Sequence, residues 1–381
     1  MFQILQIVKI NMRTEYKINK QSHYITYYKK NDSAKIAKSI ELIESDKNIL
    51  LIYDEKISTK TIKNISEELN LFGCNLIKLK CRGNKSNKNE KLLFKILDLL
   101  ISRKFTKRSV LISCGGGVVS DVAALASSLY LRGLFYFNIP STMTAIIDSC
   151  VGGKTAINYK GIINSVGNYY HPKNVIIMEE IINSLPEREF TSGIAEIIKC
   201  GLIEKNNILQ FLVKNKKNIQ KKEFKTISEL CDMTLKTKIK FFIDDIYENN
   251  QRLYLNFGHT FAHAIEMALD NSSRNDIIRH GEAVSLGILC EIFYANKGRK
   301  ILYNQAERVL KDFNLPINLR TFIKDKMKSL TLQKNIYKFI FLDKKKIDQY
   351  PRFISIKKIG KPKVLPIKDF DFLNDTILNL F

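Results

Sequence analysis

Ser109–Gly133 reads SVLISCGGGVVSDVAALASSLYLRG. SVLISC is a short apolar run of strand length, and three glycines, Gly115, Gly116 and Gly117, stop it abruptly. From Val118 the apolar residues recur at helical spacing, so strand, glycine turn and helix follow one another within 25 residues. LFYFNIP, beginning at Leu134, then reads as the next strand. Upstream, NILLIYDE reads as a strand ending at Asp54, CNLIKLKC as another, and KLLFKILDLLISRK as a helix. Strands alternating with helices imply a parallel sheet with helices on its faces. Past KNVIIMEE, near Glu180, the period changes. EFTSGIAEIIKCGLIEK, a Lys-rich segment near 224 to 243, TFAHAIEMALD and HGEAVSLGILCEIFYANK all carry helix-period patterns, through about Leu342. RFISIKKIGKPKVLPI near the end alternates around a Gly and Pro turn and predicts a terminal hairpin. The expected architecture is an α/β N-terminal domain over 1–180 and a mainly α-helical C-terminal domain over 181–381.

The 381 residues suit two such domains, and 45% apolar with 26% charged residues is a globular balance. The net charge of +24 raises nucleic acid or an anionic membrane as partners. The lysines are spread among Asn and Ile, however, as in KNKKNIQKKEFK from Lys214, and no Arg-rich stripe or aromatic RNA-binding motif accompanies them. Compositional bias is the preferred reading, so neither nucleic acid nor membrane is expected. Seven scattered cysteines without a C-x-x-C pair argue for a reducing compartment and against a disulfide framework or a thiolate metal site. MFQILQIVKINMR has its charges after the apolar run, the wrong order for a secretory signal, and no run reaches membrane-spanning length. A cytoplasmic protein is expected.

The glycine turn is a ready anion site, because glycines admit close approach and free amides open the following helix. It is not the G-x-G-x-x-G fingerprint, and alone it is equally a tight turn. VGGKT, from Val151, imitates the end of an ATP-binding loop, but the required first glycine falls on Asp148, so that chemistry is rejected. Of five histidines, three fall close together: His259 and His263 in NFGHTFAHAIE, and His280 in RHGEAV. The first two share one helix face, and with Glu196 from another helix the set has enough N and O ligands for zinc with an open position. A packed core pair remains the competing reading. Glu248, Arg252 and Asn256, four apart, lead into this cluster, and Lys238 precedes them. An Arg beside Asn and His suits a carboxylate or phosphate grip, whereas a charged helix face is the bland alternative.

Taken together, GGGVVSDVAALASSLYLRGLFYFNIPSTMTAIIDSCVGGKTAIN, GIAEIIKCGLI, NFGHTFAHAIE, HGEAV and LDKKK closely resemble the 3-dehydroquinate synthases in order and spacing, from about Asp54 to Lys346. The resemblance implies a dehydroquinate synthase-like fold with an N-terminal NAD-binding domain and a helical metal- and substrate-binding domain, with NAD between them and a homodimer. It assigns zinc, or cobalt in its place, to Glu196, His259 and His280, and leaves His263 to substrate or a proton network. NAD would meet Asp54, Lys88, Gly116, Gly117, Val118, Val119, Ser120, Asp121, Ser141, Thr142 and Lys154. The substrate, a phosphorylated keto acid, would meet Asp148, Lys154, Asn164, Lys199, Lys238, Arg252, Asn256, His263 and Lys345, with Arg132 reaching across the dimer. Arg252, Lys238 and Lys345 are expected near its carboxylate and ring oxygens, and Lys154, Asn164, Lys199, Asn256 and His263 nearer its phosphate.

The implied reaction converts 3-deoxy-arabino-heptulosonate 7-phosphate to 3-dehydroquinate and phosphate, the second step of the shikimate pathway. Oxidation at NAD makes a neighbouring C–H acidic, phosphate leaves, hydride returns, and ring opening with an aldol step closes the carbocycle. Two family positions depart. A Gly-Lys-Asn is Ile162, Ile163 and Asn164 here, with Lys160 as a substitute from upstream. An Asp-Gly-Glu that grips the cofactor ribose is GNKSNK, with Lys85 where glutamate is expected. These predict weakened NAD binding. Rival readings are sister cyclases making inosose or valiolone rings, metal-dependent polyol dehydrogenases of the same fold, and a catalytically decayed, basic nucleic-acid-binding protein. Retention of Lys238, Arg252, His263 and Lys345 favours a carboxylated substrate.

Overall fold

The structure is a computed structural model that describes residues 13–29, 35–41, 45–270, 277–323, 326–342 and 346–381. The N-terminal run 1–12 and Lys345 lie outside the described residues. The chain divides into two compact units, Met1–Pro186 and Glu187–Phe381.

Within the first unit the elements are β1 (Arg13–Ile18), β2 (Gln21–Tyr28), α1 (Lys35–Glu41), β3 (Asn48–Asp54), α2 (Thr59–Leu71), β4 (Asn75–Cys81), α3 (Glu90–Ser102), β5 (Val110–Gly115), α4 (Gly117–Leu129), β6 (Phe135–Pro140), β7 (Lys154–Tyr159), β8 (Ile162–Tyr169), β9 (Asn174–Met178) and α5 (Glu179–Ser184). Seven strands form one sheet in the order β1-β2-β9-β6-β5-β3-β4, and every pairing except β1 with β2 is parallel. The apolar runs are continuous because both faces are covered. Leu50, Ile52 and Leu111 pack with Ile96 of α3 and Val122 of α4, whereas the alternate residues Ile49, Leu51, Val110 and Ile112 pack with Ile62 and Ile65 of α2 and Ile36 of α1. Each such side chain contributes roughly 1.5–3 kcal/mol by leaving water. The sheet grows outward from β3 to β4, then returns to β5 and continues to β6, so the strand order reverses between β3 and β5. Ligands of open α/β sheets bind beyond the carboxyl ends of strands at that kind of reversal. Here those ends are Asp54 and Gly115.

The second unit contains α6 (Glu187–Ile203), α7 (Ile208–Lys214), α8 (Lys216–Gln220), α9 (Phe224–Phe242), α10 (His259–Asp270), α11 (His280–Ala295), α12 (Lys300–Asp312), α13 (Lys326–Leu342), β10 (Lys346–Ile347), β11 (Tyr350–Ile356), β12 (Pro362–Pro366) and α14 (Phe370–Leu378). The predicted terminal hairpin is β11 paired antiparallel with β12. α11 is buried along nearly all its length and packs on α6 and α10. The α/β unit followed by a helical one matches the predicted fold class.

Three helices converge on one point

Glu196 lies mid-way along α6 with its carboxylate 1% exposed. Gly258, in the left-handed region at φ +82°, turns the chain into α10 so that His259 is its first residue. His280 opens α11, whose first turn is fixed by Glu282. That carboxylate accepts from the Arg279 amide at 2.8 Å and receives a two-pronged grip from Arg188 of α6, 2.7 Å on each oxygen.

These three elements bring Glu196 Oε1 to 3.6 Å from His259 Nε2 and 3.4 Å from His280 Nε2. One ligand atom from each residue lies within 4.8 Å of the others. The distances are long for hydrogen bonds and close to the edge of a tetrahedron around Zn²⁺, about 3.4 Å for bonds of about 2.1 Å. The opposite ring nitrogens are already engaged. His259 Nδ1 meets the Phe257 carbonyl at 3.1 Å, and His280 Nδ1 meets Glu266 Oε1 at 3.2 Å. Both Nε2 atoms are thereby turned toward the common point, the usual outer-shell arrangement of a metal-binding histidine. One carboxylate and two imidazoles with a vertex left over fit a divalent cation with an open position.

The local electrostatics agree. Burial, with help from the Lys199 ammonium, lowers the His259 pKa to about 3, so its ring stays neutral. For His280 burial works against the charge, but the Glu266 and Glu196 carboxylates outweigh it and raise the pKa well above the ordinary value. Lys199, one helical turn past Glu196 and 2% exposed, pairs with the other oxygen, Oε2. His263 stands beside the trio, its ring centroid 5.5 Å from that of His259 and 6.2 Å from that of His280.

Arg252 and Asn256 share the short 3-10 turn Gln251–Asn256 that leads into Gly258. Asp245 anchors this turn by accepting the amides of Asn249, Asn250 and Arg252 at 2.8–2.9 Å. Against the cost of burial, those donors hold its carboxyl below the usual range. Arg252 is buried, donates to the Ile246 carbonyl at 2.6 Å and lies over the Phe242 ring. Asn256 donates to Glu248. Lys238 is buried on α9. Two residues not singled out by the sequence reading adjoin the site. Glu266 sits seven past His259 on α10, and Arg352 of β11 lines a narrow cavity with Asn256, His259 and His263.

In the first unit, α4 begins at the carboxyl end of β5 with Gly116 as its cap and no side chain on its first amides. A Cβ on Gly115 would lie 2.6 Å from that of Val119, and one on Gly116 would lie 3.3 Å from the Thr142 methyl. The turn therefore tolerates only glycine at its first position, and its free amides make an anion cradle. Around it stand Asp54 at the end of β3, Ser141, whose amide donates to the Gly115 carbonyl, Thr142, and Ser149, whose hydroxyl would be 3.5 Å from a Cβ on Gly117. Val118, Val119, Ser120 and Asp121 form the first turns of α4. Lys88 reaches Asp121 at 2.5 Å and Asn164 of β8 at 2.6 Å. Asp148 lies in a π turn, Ala145–Ser149, and Lys154 opens β7 exposed. Lys160, at the tip of the hairpin, lies over the Tyr159 ring. Arg132 is exposed, with Leu131 and itself in the left-handed region.

Comparison with known proteins agrees with this geometry. Residues 78–192 match the family model for the 3-dehydroquinate synthase N-terminal region, and residues 193–346 that for its C-terminal region. A 3-dehydroquinate synthase of Clostridium tetani is 32% identical over 368 residues, 95% of this chain and 94% of that protein. One from Dictyoglomus thermophilum is 37% identical, covering 74% of this chain and 76% of its own. Among solved structures, a 2-deoxy-scyllo-inosose synthase complexed with carbaglucose-6-phosphate, NAD+ and Co2+ aligns with a TM-score of 0.82 at 21% identity, over 96% of this chain and 99% of that one. A 2-epi-5-epi-valiolone synthase from Streptomyces hygroscopicus with NAD+ and Zn2+ bound aligns at 0.77 and 19%, over 96% and 98%. These last two share the fold. With both halves matched in order, and relatives above 30% identity along nearly the whole length, the chain belongs to the 3-dehydroquinate synthase family.

Proposed function

We propose that this chain is an enzyme that converts 3-deoxy-arabino-heptulosonate 7-phosphate to 3-dehydroquinate and inorganic phosphate, using NAD catalytically and a divalent cation, zinc or cobalt. The observation that carries the reading is the convergence of Glu196, His259 and His280 within a chain of this family. The first unit would be the nucleotide-binding domain and the second the metal- and substrate-binding domain.

When bound, the cation supplies Lewis acidity to adjacent substrate hydroxyls, and NAD supplies a reversible hydride acceptor. Glu196, His259 and His280 would hold the cation. Gly116 to Asp121, with Asp54, Ser141, Thr142, Lys88 and Lys154, would hold NAD through the glycine turn and the amides of α4. Arg252, Lys238 and Lys345 would fix the carboxylate. Lys199, Asn256 and His263, with Lys154 and Asn164, would orient the phosphate, and Asp148 would also meet the substrate. His263, exposed and beside the trio, would bind the substrate or pass a proton to or from it. Holding a flexible dianion in one pose accounts for much of the work such cations do.

The direct test supplies the heptulosonate phosphate with NAD and Zn²⁺ and follows phosphate release together with dehydroquinate. Phosphate without a carbocycle, or activity only toward unphosphorylated polyols, sinks the proposal.

The departures at Ile163 and Lys85 lead to a prediction for the cofactor. Ile163, 69% exposed on β8, carries no charge to offer the nucleotide, and the upstream Lys160 lies over the Tyr159 ring, which supports the reading of a weakened grip. Titration calorimetry should find NAD binding weaker than micromolar, and a tighter complex would contradict it.

A homodimer is also part of this reading. β8 has every residue exposed or partly so, and Ile162, Ile163 and Val166, with Tyr159 of β7, are exposed apolar side chains on a two-stranded hairpin. The hairpin packs on α4 through β7, and an open strand edge invites a second chain. Sedimentation should give twice the chain mass, and Val166→Lys should lower it. Placement in the cytoplasm is supported by seven buried cysteines that form no disulfide. No described helix is long and apolar enough to cross a membrane.

A further inference from the structure

Glu266 occupies the same face of α10 as His259 and His263, at positions i, i+4 and i+7, and so joins the cluster from within one rigid helix. Its Oε1 lies 3.2 Å from His280 Nδ1, and its side chain is 17% exposed. His280 belongs to a different helix, at the first position of α11, where the capping pair of Arg279 and Glu282 holds the backbone and the orientation of the ring is left to side-chain contacts. His259 has a main-chain carbonyl, that of Phe257, to hold its Nδ1. For His280 the corresponding partner at Nδ1 is the Glu266 carboxylate.

We infer that Glu266 is a positioning residue that keeps the proton of His280 on Nδ1 and presents Nε2 to the cation held with Glu196 and His259. The inference rests on the metal reading above and adds a role for a residue outside the ligand set. An imidazole has two nitrogens, and only one tautomer offers a lone pair at Nε2. A carboxylate accepting from Nδ1–H selects that tautomer, sets the ring plane and makes Nε2 a stronger donor, whereas a free ring would divide its time among orientations and tautomers.

The test uses the full chain, with Zn²⁺ affinity measured by competition against a chromogenic chelator, and with the thermal transition of the metal-free protein as a control for folding. Glu266→Ala should weaken Zn²⁺ binding about 10- to 100-fold, the range expected when such a partner is lost. Glu266→Gln keeps an acceptor oxygen for Nδ1–H and should recover most of that loss. An Ala variant that binds Zn²⁺ as tightly as the parent overturns the inference. So does a Gln variant as weak as the Ala one, since charge rather than tautomer would then be the cause. If the parent itself fails to bind Zn²⁺ or Co²⁺, the metal reading falls and takes this role with it, which is a different result from a parent that binds and a variant that does so equally well.

Discussion

Glu196→Gln should yield a folded protein that does not retain Zn²⁺ through dialysis and has lost about 10³-fold or more in kcat/KM. The substitution keeps the volume of a side chain buried among α6, α10 and α11 but removes the single negative charge among the three converging groups. A factor of 10³ is about 4 kcal/mol, within what a cation contributes by polarising oxygen. The opposing concern is folding, because Lys199 is 2% exposed and pairs with Glu196 Oε2. Removing one partner of a buried ion pair costs about 3–5 kcal/mol if the other stays charged, against a typical total stability of about 5–15 kcal/mol. The Glu196→Gln amide oxygen can still accept from the Lys199 ammonium, which softens that cost. The melting temperature should therefore drop while the transition stays cooperative. Metal content by atomic absorption separates the two effects, and a variant that keeps stoichiometric zinc would show that Glu196 is not a ligand. In the parent, uptake must expel the proton that the Glu266 and Glu196 carboxylates keep on His280. Zinc affinity should accordingly fall as pH falls below the raised pKa of that ring, with protons released on binding.

Much of this arrangement is legible in the chain itself, and the reasons for the gaps are physical. Strands β3 and β5 announce themselves as unbroken apolar runs because helices cover both faces, and the glycines after Cys114 mark the only backbone that fits against Val119. The β7–β8 hairpin carries no such signal. All of β8 faces solvent to some degree, so no residue is constrained to be apolar on one side. The β1–β2 hairpin hides for another reason, since Asn19 and Lys20 both adopt left-handed backbone where glycine would have been the cue. At the site, the four-residue spacing of His259 and His263 shows that they share a face, but spacing cannot say which of them meets Glu196. That is decided by the packing of α10 against α11 and α6, which turns His259 Nε2 inward and leaves His263 exposed. The resemblance to a known family supplied that choice. Glu266 was within reach of the same helical arithmetic, because a carboxylate at i+7 falls on the face that the two histidines define.

Gly287→Ala is expected to be as damaging as the loss of a ligand, although the residue touches none. α11 crosses the start of α10 so closely that a Cβ on Gly287 would lie 1.9 Å from the Gly258 carbonyl oxygen and 3.0 Å from the Ala262 amide nitrogen. Both obstacles are backbone, so no side chain can swing aside. Gly258 cannot yield easily either, because its own φ of +82° is what turns the chain into His259, and a Cβ there would meet Ile288. The two helices must separate by more than an ångström. Alanine favours a helix over glycine by about 1 kcal/mol, but overpacking a core costs about 1–3 kcal/mol and more where backbone meets backbone. Steric cost wins. The functional consequence exceeds the loss of stability, because metal–ligand distances tolerate only about 0.2 Å and the separation opens between the helices that begin with His259 and His280. Gly281→Ala should act the same way on the other side of α11, where a Cβ would meet the Ser192 carbonyl of α6 at 1.7 Å, one turn before Glu196. Both variants should melt below the parent and bind Zn²⁺ at least about tenfold more weakly, again by chelator competition. Either one melting and binding as the parent does would mean that the close approach of α11 is not what aligns the three ligands.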